Sequence, residues 1–360
     1  MRTVVIGGGI IGLLTARELA MAGHTVSVVD QGRIGAEASW AGGGILSPLY
    51  PWRYPDPVNQ LARWSQQHYS ALATELITDG GLDPQWTQSG LLVLDPSEHA
   101  EALAWAKGYD LPAEEITAQD CIRLEPGLQV PGSTALWFPS LAQIRNPRLV
   151  KSLAESCLRH GVQLRESTQV SGLTLRGQRV TAVETQSGSL SADSVVVASG
   201  AWSARLLAGL GMTLPVRPVR GQMIMYHAQP SQIRHINLYE GHYLIPRQDG
   251  RVLVGSTLEE VDFDKSTTVE ARESLIRFAG SLFPFLRELP IETQWAGLRP
   301  GSPTGIPYIC NVPGVAGLYL NTGHYRNGVV LGFASARLLA DVMVGRVPIL
   351  DPAPYGLVRG

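Results

Sequence analysis

Residues 4–30 read VVIGGGIIGLLTARELAMAGHTVSVVD, and this stretch decides the fold of the chain around it. The apolar run at 4–6 predicts a strand, residues 11–22 predict a helix, and residues 25–29 predict a second strand that ends in Asp30. Between the first strand and the helix, glycines take the spacing G-x-G-x-x-G at Gly7, Gly9 and Gly12. This order of strand, glycine turn, helix, strand and acid is typical of the βαβ unit that binds a dinucleotide.

Each residue of the motif has its own physical role. Gly7 permits the tight turn, Gly9 lets backbone amides at the helix start approach a pyrophosphate, and Gly12 lets the helix pack closely on the strand. Asp30 is expected to accept hydrogen bonds from ribose hydroxyls, and its charge disfavours the 2′-phosphate of NADP. The alternative is a glycine-rich turn without a ligand. The motif by itself leaves both NAD and FAD open.

The composition is that of an ordinary globular protein. The 360 residues are 44% apolar and 17% charged, which suits a large core and two domains. The 29 basic and 31 acidic residues leave a net charge of −2. Lysine and arginine do not form a run, so we expect no nucleic-acid partner.

The three cysteines indicate a reducing compartment. Cys121, Cys157 and Cys310 are far apart and form neither a C-x-x-C pair nor a cluster with histidine. We therefore expect no disulfide framework, no metal site and a cytoplasmic location. Since a membrane-spanning helix needs about 20 apolar residues, we also expect no membrane span.

Residues 32–47 form a segment of small residues after the second strand. Such a segment allows backbone to lie against a flat ligand, although a flexible loop is the alternative. We call it the small-residue segment. Its expected cofactor contacts are Gly32, Ser39, Trp40, Ala41, Gly42, Gly43 and Gly44.

Strands followed by glycine turns recur at 195–203 and 317–331, whereas residues 215–297 are rich in alternating strands with a helix at 269–282. Residues 161–190 predict a β-meander. We therefore predict a mixed α/β and α+β fold, with a Rossmann-like cofactor domain and an antiparallel-sheet substrate domain. The cofactor domain is expected to be discontinuous, at 1–80, 140–214 and 298–360, and the substrate domain to take 81–139 and 215–297.

Together with residues 4–30, three further motifs resemble the D-amino acid oxidase superfamily of flavoproteins. They are VVVASGAWS at 195–203, GLRPG at 297–301 followed by GIPY at 305–308, and GHYRNG at 323–328. Within this superfamily the chain is most similar to the glycine oxidase family, which supplies the thiazole pathway of thiamine synthesis in many bacteria. The resemblance spans nearly the whole chain, and it implies FAD bound in a fold of the glutathione-reductase type.

The resemblance also implies which residues contact FAD. No cysteine lies near Arg299, where relatives carry a covalent flavin link, so FAD is expected to be non-covalent. The helix that begins at Gly328 is expected to direct its positive end at the reduced flavin. The expected contacts besides the small-residue segment are Gly7, Gly9, Ile10, Ile11, Gly12, Asp30, Val170, Ser199, Gly200, Trp202, Arg299, His324, Tyr325, Arg326, Asn327, Gly328, Val329, Val330 and Leu331.

For the substrate, the family pattern implies catalytic roles for Arg299, Tyr243 and Arg326. Arg299 is expected to pair with a carboxylate, which a guanidinium fork binds bidentately, and Tyr243 to donate a second hydrogen bond. Arg326 is expected near both flavin and substrate. A histidine of the family is replaced here by Gly241, which predicts extra space in the pocket, and Leu258 is expected to form an apolar wall.

The implied activity is oxidative deamination of glycine, sarcosine and small D-amino acids. Hydride passes from the substrate Cα to the flavin, and the products are an imine, then glyoxylate or a keto acid, ammonia or an amine, and hydrogen peroxide. Oxygen is the expected acceptor and a homo-oligomer, commonly a tetramer, the expected assembly. The alternatives are a D-amino acid dehydrogenase, a cyanide-forming glycine dehydrogenase that uses another acceptor, and a flavin-binding module without turnover.

Overall fold

The first 30 residues form the predicted strand–helix–strand unit in the computed structural model of the protein, which describes residues 1–80, 82–95 and 97–357. The two strands, Arg2–Ile6 and Thr25–Val29, pair in parallel, with Val5 opposite Val28. The helix between them, Ile10–Met21, begins one residue before the predicted start. Gly81, Pro96 and residues 358–360 of the predicted domain segments lie outside the described residues.

Strands and helices alternate along the described chain. The strands are β1 (Arg2–Ile6), β2 (Thr25–Val29), β3 (Leu91–Val93), β4 (Glu114–Thr117), β5 (Thr134–Phe138), β6 (Gln163–Arg165), β7 (Val170–Arg176), β8 (Arg179–Thr185), β9 (Gly188–Ser191), β10 (Ser194–Val197), β11 (Arg217–His227), β12 (Ile236–Tyr239), β13 (His242–Pro246), β14 (Arg251–Gly255), β15 (Ile291–Gly301), β16 (Tyr308–Asn311) and β17 (Leu318–Thr322). The α-helices are α1 (Ile10–Met21), α2 (Ala38–Ala41), α3 (Asp56–Gly80), α4 (His99–Gly108), α5 (Ala118–Leu124), α6 (Asn146–Arg159), α7 (Ser203–Ala208), α8 (Val269–Leu282) and α9 (Gly328–Val344). Short 3-10 helices lie at Pro51–Arg53, Gly200–Trp202, Pro284–Glu288, Tyr325–Asn327 and Ala353–Tyr355.

A six-stranded sheet has the order β16-β17-β10-β1-β2-β6. All neighbours in it are parallel except β16 and β17, which are antiparallel. Helices α1, α3, α6 and α9 pack around one another against this sheet and bury a large apolar core. This is the predicted Rossmann-like layer, and because its strands run parallel, their carboxyl ends meet at one edge.

An eight-stranded sheet has the order β15-β11-β14-β13-β12-β3-β5-β4. Its neighbours are antiparallel except β12 and β3, which pair in parallel. Alternate residues of β13 separate into two cores: Tyr243 and Ile245 face one core, and Leu244 faces the core under α8. Helix α8 has the predicted bounds and packs on β11 and β14.

The predicted β-meander needs one correction. Only β7, β8 and β9 form the separate three-stranded sheet. The strand predicted before them is β6, which pairs in parallel with β2, with Leu164 opposite Val28. The six-stranded sheet therefore gains an edge strand that alternation of polar and apolar residues could not assign to it.

We propose the division into a cofactor domain and a substrate domain that the sequence predicts, because each domain contains one of the two large sheets. The six-stranded sheet draws its strands from 2–29, 163–197 and 308–322, and the eight-stranded sheet from 91–138 and 217–301. Strand β15 crosses the boundary at 298, since it continues to Gly301.

One segment of the described chain is long and apolar enough to span a membrane, judged by length and composition only. It is Tyr325–Val344, and 67% of its most apolar window is buried inside the protein. Because α9 packs against α1 and α3 within the large core, this apolar character is that of a core helix.

Candidate active site

A cavity with about 1620 Å³ of space, its open mouth included, lies at the carboxyl ends of the parallel strands. The glycine turn after β1, the small-residue segment, the turn after β10 and the turn after β17 line it on one side. Residues of β13 and β15 and the residue after β14 line it on the other side. The two large sheets therefore share this cavity.

The turn after β1 leaves no room for side chains. A Cβ on Gly7, whose φ is +110°, would lie 2.4 Å from the Ala198 carbonyl oxygen, and a Cβ on Gly9 would lie 2.8 Å from Ser39 Oγ. A Cβ on Gly12 would lie 1.8 Å from the Gly7 carbonyl oxygen, so Gly12 serves the packing of α1 and does not line the cavity. Gly7 and Gly9 do line it.

Helix α1 begins at the cavity wall, where the first backbone amides have no partner within the helix. Its N-cap is Gly9, which has no side chain to accept them, and Ile10 N donates to Ser39 Oγ at 2.8 Å. Ile10, Ile11 and Ser39 all line the cavity. A helix N-terminus in this position favours an anion, since its amides and its dipole both present positive charge.

Asp30 lies at the end of β2 and lines the same region. Its carboxylate accepts the backbone N–H of Gly8 at 2.7 Å and that of Gly32 at 2.8 Å. Burial raises the pKa of Asp30 above its usual value, although the two backbone hydrogen bonds oppose this shift. Gly32 does not line the cavity; it holds the Asp30 carboxylate in place.

The small-residue segment lies partly at the cavity and partly against β15. Ser39 and the glycines at 42–44 line the cavity. Because residues 38–41 form the single turn of α2, Trp40 and Ala41 point toward β15 and do not line the cavity. Trp40 packs edge-on against Trp295, with 5.8 Å between the ring centroids. The Ala41 carbonyl accepts the indole N–H of Trp295 at 2.9 Å.

The turn after β10 lies beside the glycine turn, because β10 is the parallel neighbour of β1. Ser199, Gly200 and Trp202 line the cavity, as does Val170 at the start of β7. Gly200 has a φ of +53°, which a glycine adopts without strain. These residues and the glycine turn therefore enclose one end of the cavity.

The guanidinium of Arg299 lies at the other end, on β15. Its Nη2 donates to Ser256 Oγ at 2.7 Å and its Nη1 to the Thr257 carbonyl oxygen at 3.2 Å. A Cβ on Gly221 would lie 2.0 Å from Arg299 Nη1, so this glycine makes room for the guanidinium. Burial lowers the pKa of Arg299 from its usual value; Tyr243 opposes the shift and the charge of Arg326 adds to it.

Tyr243 lies on β13 with its ring buried at the edge of the cavity. A Cβ on Gly255 would lie 2.8 Å from the ring, and a Cβ on Gly43 would lie 3.2 Å from it. The phenol oxygen is 3.8 Å from Met223 Sδ. The two glycines thus fix the plane of the ring, and the structure brings Tyr243 and Arg299 to one cavity.

Arg326 is half-buried and also lines the cavity. None of the described residues forms a hydrogen bond or an ion pair with its guanidinium. The preceding residue, Tyr325, has a φ of +50°, which is uncommon for a residue other than glycine and turns the chain at this point. Two cationic groups, Arg299 and Arg326, therefore share the cavity.

His324 is buried beneath this turn, and burial lowers its pKa to about 3, so the ring is neutral at pH 7. Ser335 Oγ donates to the Leu331 carbonyl oxygen at 2.8 Å, and it therefore accepts from His324 Nε2 at 3.0 Å. His324 and the residues Tyr325, Asn327, Gly328, Val329 and Val330 line the cavity, whereas Leu331 is fully buried in the core. The N-cap of α9, Asn327, makes no side-chain cap, so the first amides of this helix also face the cavity region.

Two predicted substrate contacts lie elsewhere. Gly241, with a φ of +75°, is in the turn before β13, where its N–H donates to Tyr50 Oη at 2.9 Å. Leu258 is 48% exposed. Neither residue lines the cavity. Strand β13 brings Tyr243 to the cavity in place of Gly241. Ser256, which is nearer to the end of β14 than Leu258, takes the position at the wall.

Sequence reasoning missed other lining residues. Ser256 could have been expected from its place after a strand that neighbours Tyr243, but most of the rest follow only from folding. The missed residues are Ile6, Val29, Gln31, Glu37, Ala38, Ile45, Leu49, Thr168, Ala198, Ala201, Leu206, Ser256, Leu298, Pro300, Asn321 and Thr322.

The cavity has the features that an extended dinucleotide requires. One end has glycines without space for a Cβ, a helix N-terminus and a half-buried carboxylate. The other end has two arginines and a tyrosine. Within residues 1–80, 82–95 and 97–357, histidine, cysteine and acidic side chains form no cluster that could hold a metal ion. The residues therefore fit a nucleotide cofactor with a small acid beside it.

The chain is similar over its length to FAD-dependent enzymes. The family profile DAO, described as FAD dependent oxidoreductase, matches residues 2–342. A protein of Pseudomonas aeruginosa named glycine oxidase is 51% identical over 98% of each chain. The crystal structure of glycine oxidase from Geobacillus kaustophilus has a TM-score of 0.94 at 30% identity and covers 100% of this chain and 99% of that one.

A third relative is a two-part protein. The bifunctional protein ThiO/ThiG of a Synechocystis species is 34% identical over 95% of this chain. The match covers 51% of that protein's length, so this chain corresponds to about half of it.

Proposed function

The chain belongs to the DAO family of FAD-dependent oxidoreductases, and we propose that it oxidises glycine and other small amines that carry a carboxylate. The observation that carries this proposal is the half-buried guanidinium of Arg299, held toward the cavity by Ser256 beside the ring of Tyr243. A guanidinium so placed binds a carboxylate through two parallel hydrogen bonds. The names of the relatives support glycine as the substrate and the oxidase over the dehydrogenase alternative.

The residues at the glycine-rich end would hold FAD without a covalent bond. Because the Ile10 amide already donates to Ser39 Oγ, the amides of Gly9 and Ile11 would face the pyrophosphate. The carboxylate of Asp30 would accept hydrogen bonds from a ribose. When bound, FAD accepts the hydride of the substrate Cα and passes the electrons on. The amides at the start of α9 would face the other end of the cofactor.

The protein's task at the substrate is mainly one of position. Arg299 would hold the carboxylate, and Tyr243 would add a donor that fixes its orientation. Arg326 adds positive charge close to Arg299, and this charge disfavours the ammonium form of a bound amine. The amine therefore loses its proton to water more readily, and the arrangement requires no strong base. The product of this oxidation is an imine. When the substrate is glycine, water hydrolyses the imine to glyoxylate and ammonia.

The wider setting is also part of the proposal. Oxygen would be the electron acceptor, the location would be the cytoplasm, and the assembly a homo-oligomer such as a tetramer. The ThiO/ThiG name of the Synechocystis relative supports a role in thiamine biosynthesis, in which the oxidation product supplies the thiazole.

A peroxide assay tests the proposal. We expect the FAD-loaded protein in aerobic buffer to form hydrogen peroxide with glycine, sarcosine, D-alanine and D-proline, and to act poorly on a bulky D-amino acid. Flavin reduction without peroxide would overturn the choice of oxygen as acceptor. If no amino acid bleaches the flavin under anaerobic conditions, amine oxidation itself is wrong.

A further inference from the structure

A second cavity, with about 610 Å³ of space, its open mouth included, lies beside the turn that joins β13 and β14. Three arginines line it: Arg145, Arg234 and Arg247. Amide and hydroxyl side chains make up most of the remaining wall, and no acidic residue of the described chain lines it. In the part of the chain that the structure describes, this cavity and the cofactor cavity have no lining residue in common.

Arg247 is a buried cation with neutral partners. It is 7% exposed. Its guanidinium donates to Gln143 Oε1 at 2.6 Å, to the Ile144 carbonyl oxygen at 3.2 Å and to the Gly43 carbonyl oxygen at 2.6 Å. Burial and the charge of Arg145 lower the pKa of Arg247 to about 9, although the charge of Asp249 opposes the shift, so the group is still charged at neutral pH. A buried charge is costly unless an opposite charge compensates it, and none of the described residues pairs with this one.

The other two arginines are also under-compensated. Arg145 pairs with Asp249 at 2.8 Å, but the same carboxylate oxygen binds Arg251 at 2.8 Å. The side chain of Arg234 is exposed and has no hydrogen bond or ion pair with a described residue. Glu125 lies nearby, yet its carboxylate is taken up by the backbone amides of residues 234 and 235 and by the His235 ring.

We propose that this second cavity binds a small oxyanion that carries two negative charges, of the phosphate or dicarboxylate class. Guanidinium groups match such oxyanions in charge and in geometry, because their N–H donors form parallel pairs of hydrogen bonds with two oxygens. An anion between the three arginines supplies the counter-charge that Arg247 lacks. The amide side chains of Gln85 and Gln248 at the wall offer further neutral donors.

Isothermal titration calorimetry of the FAD-loaded protein with inorganic phosphate tests this site. Ionic strength is held at about 0.15 M with sodium chloride, since surface charges are screened there. We expect one phosphate per chain with a Kd of about 1 mM or tighter. Malonate in place of phosphate tells a dicarboxylate site from a phosphate site, because the better ligand binds more tightly.

Three variants test whether the anion binds in this cavity. Arg234→Glu places a negative charge at an exposed position of the wall and should weaken phosphate binding at least tenfold. Asp249→Asn removes the carboxylate that competes for Arg145 and should tighten binding severalfold, a gain that misfolding does not produce. Arg176→Glu makes the same charge change at an exposed position on β7 and should leave binding unchanged.

Some outcomes overturn the proposal. One is that the natural sequence shows no saturable binding of either anion up to about 10 mM. Another is that Arg234→Glu and Arg176→Glu weaken binding equally. A third is that Asp249→Asn binds the anion more weakly than the natural sequence. Glycine oxidation is measured separately in each variant and is expected to be unchanged in Arg234→Glu. The anion site therefore stands or falls independently of the proposed enzymatic activity.

Discussion

The guanidinium of Arg299 is held by one hydroxyl and one carbonyl oxygen and has no carboxylate partner among the described residues. Such a group is arranged for an external carboxylate. We expect Arg299→Ala to lower kcat/KM for glycine by about 2–5 kcal/mol of binding free energy, roughly 30- to 5000-fold. The kcat/KM of Arg299→Lys should lie between those of the natural sequence and the alanine variant, since an ammonium keeps the charge but not the forked geometry of the guanidinium. Steady-state peroxide kinetics measure the effect, and an unchanged kcat/KM in the alanine variant would contradict the assignment.

Gly221 offers a test that leaves Arg299 in the sequence. A Cβ at this position would lie within 2.3 Å of three guanidinium atoms, so Gly221→Ala must displace the group. A shift of about 1 Å at a binding group costs roughly 10- to 100-fold, and we expect kcat/KM to fall by this factor, mainly through KM.

The matched control is Gly172→Ala on β7, where a new Cβ meets no atom within 4 Å. Both variants should keep the absorbance spectrum of bound flavin. A loss of activity of the same size in Gly172→Ala would mean that the Gly221 effect is not local to Arg299.

The candidate site could be predicted in part from single residues. The glycine motif and Asp30 follow from local spacing, because the turn and the strand end that they need lie within 30 residues. Arg299 and Tyr243 required the family resemblance, since they lie 56 positions apart on strands that do not neighbour each other. Gly241 and Leu258 lie away from the cavity. Gly241 is in the turn before β13 and Leu258 follows the end of β14, and the alternation of residues along a strand does not predict the direction of residues outside it.

At the scale of elements, the hairpin of β13 and β14 depends on a carboxylate between two guanidinium groups. Burial alone would raise the pKa of Asp249, but hydrogen bonds from Arg251 and Arg145 outweigh it and lower the pKa from the usual 3.8 to about 2. A lowered pKa stabilises the fold above the usual value, and this stabilisation is lost as pH falls through the folded-state value.

We therefore expect the folded state to lose about 1–2 kcal/mol of stability between roughly pH 4 and pH 2 through this group, after allowance for its partial exposure. Asp249→Asn should be less stable than the natural sequence at pH 7 by this amount and equal to it near pH 2. Urea unfolding at both pH values measures the difference. A pH-independent difference would show that the ion pairs are not its source.

Elements differed in how well the sequence specified them. Helix α8 matched its predicted bounds, because its apolar spacing is regular and the Thr268 hydroxyl oxygen caps it by accepting the Ala271 N–H. Strand β6 was misassigned, since its partner β2 lies more than 130 residues earlier in the chain. The order of the six-stranded sheet likewise depends on pairings between distant segments, which local patterns do not encode.

At the scale of the whole molecule, the cofactor cavity has walls from both large sheets, so its occupant should stabilise both. A ligand at 100 times its Kd contributes about 2.7 kcal/mol to the folded state. We expect removal of FAD to lower the melting temperature by roughly 5 °C or more and added FAD to restore it. Calorimetry of the apoprotein and of the reloaded protein measures this. A melting temperature that does not respond to FAD would contradict a cavity shared by the two sheets.

The packing of α1 against α9 has a consequence for the way the chain is made. These helices lie at opposite ends of the described sequence, and β16 and β17 also come late. On the ribosome, the first βαβ unit emerges more than 280 residues before the helix that covers it. The nascent chain therefore carries an uncovered apolar helix face through most of its synthesis, and this half of the molecule completes its folding only after α9 has been released.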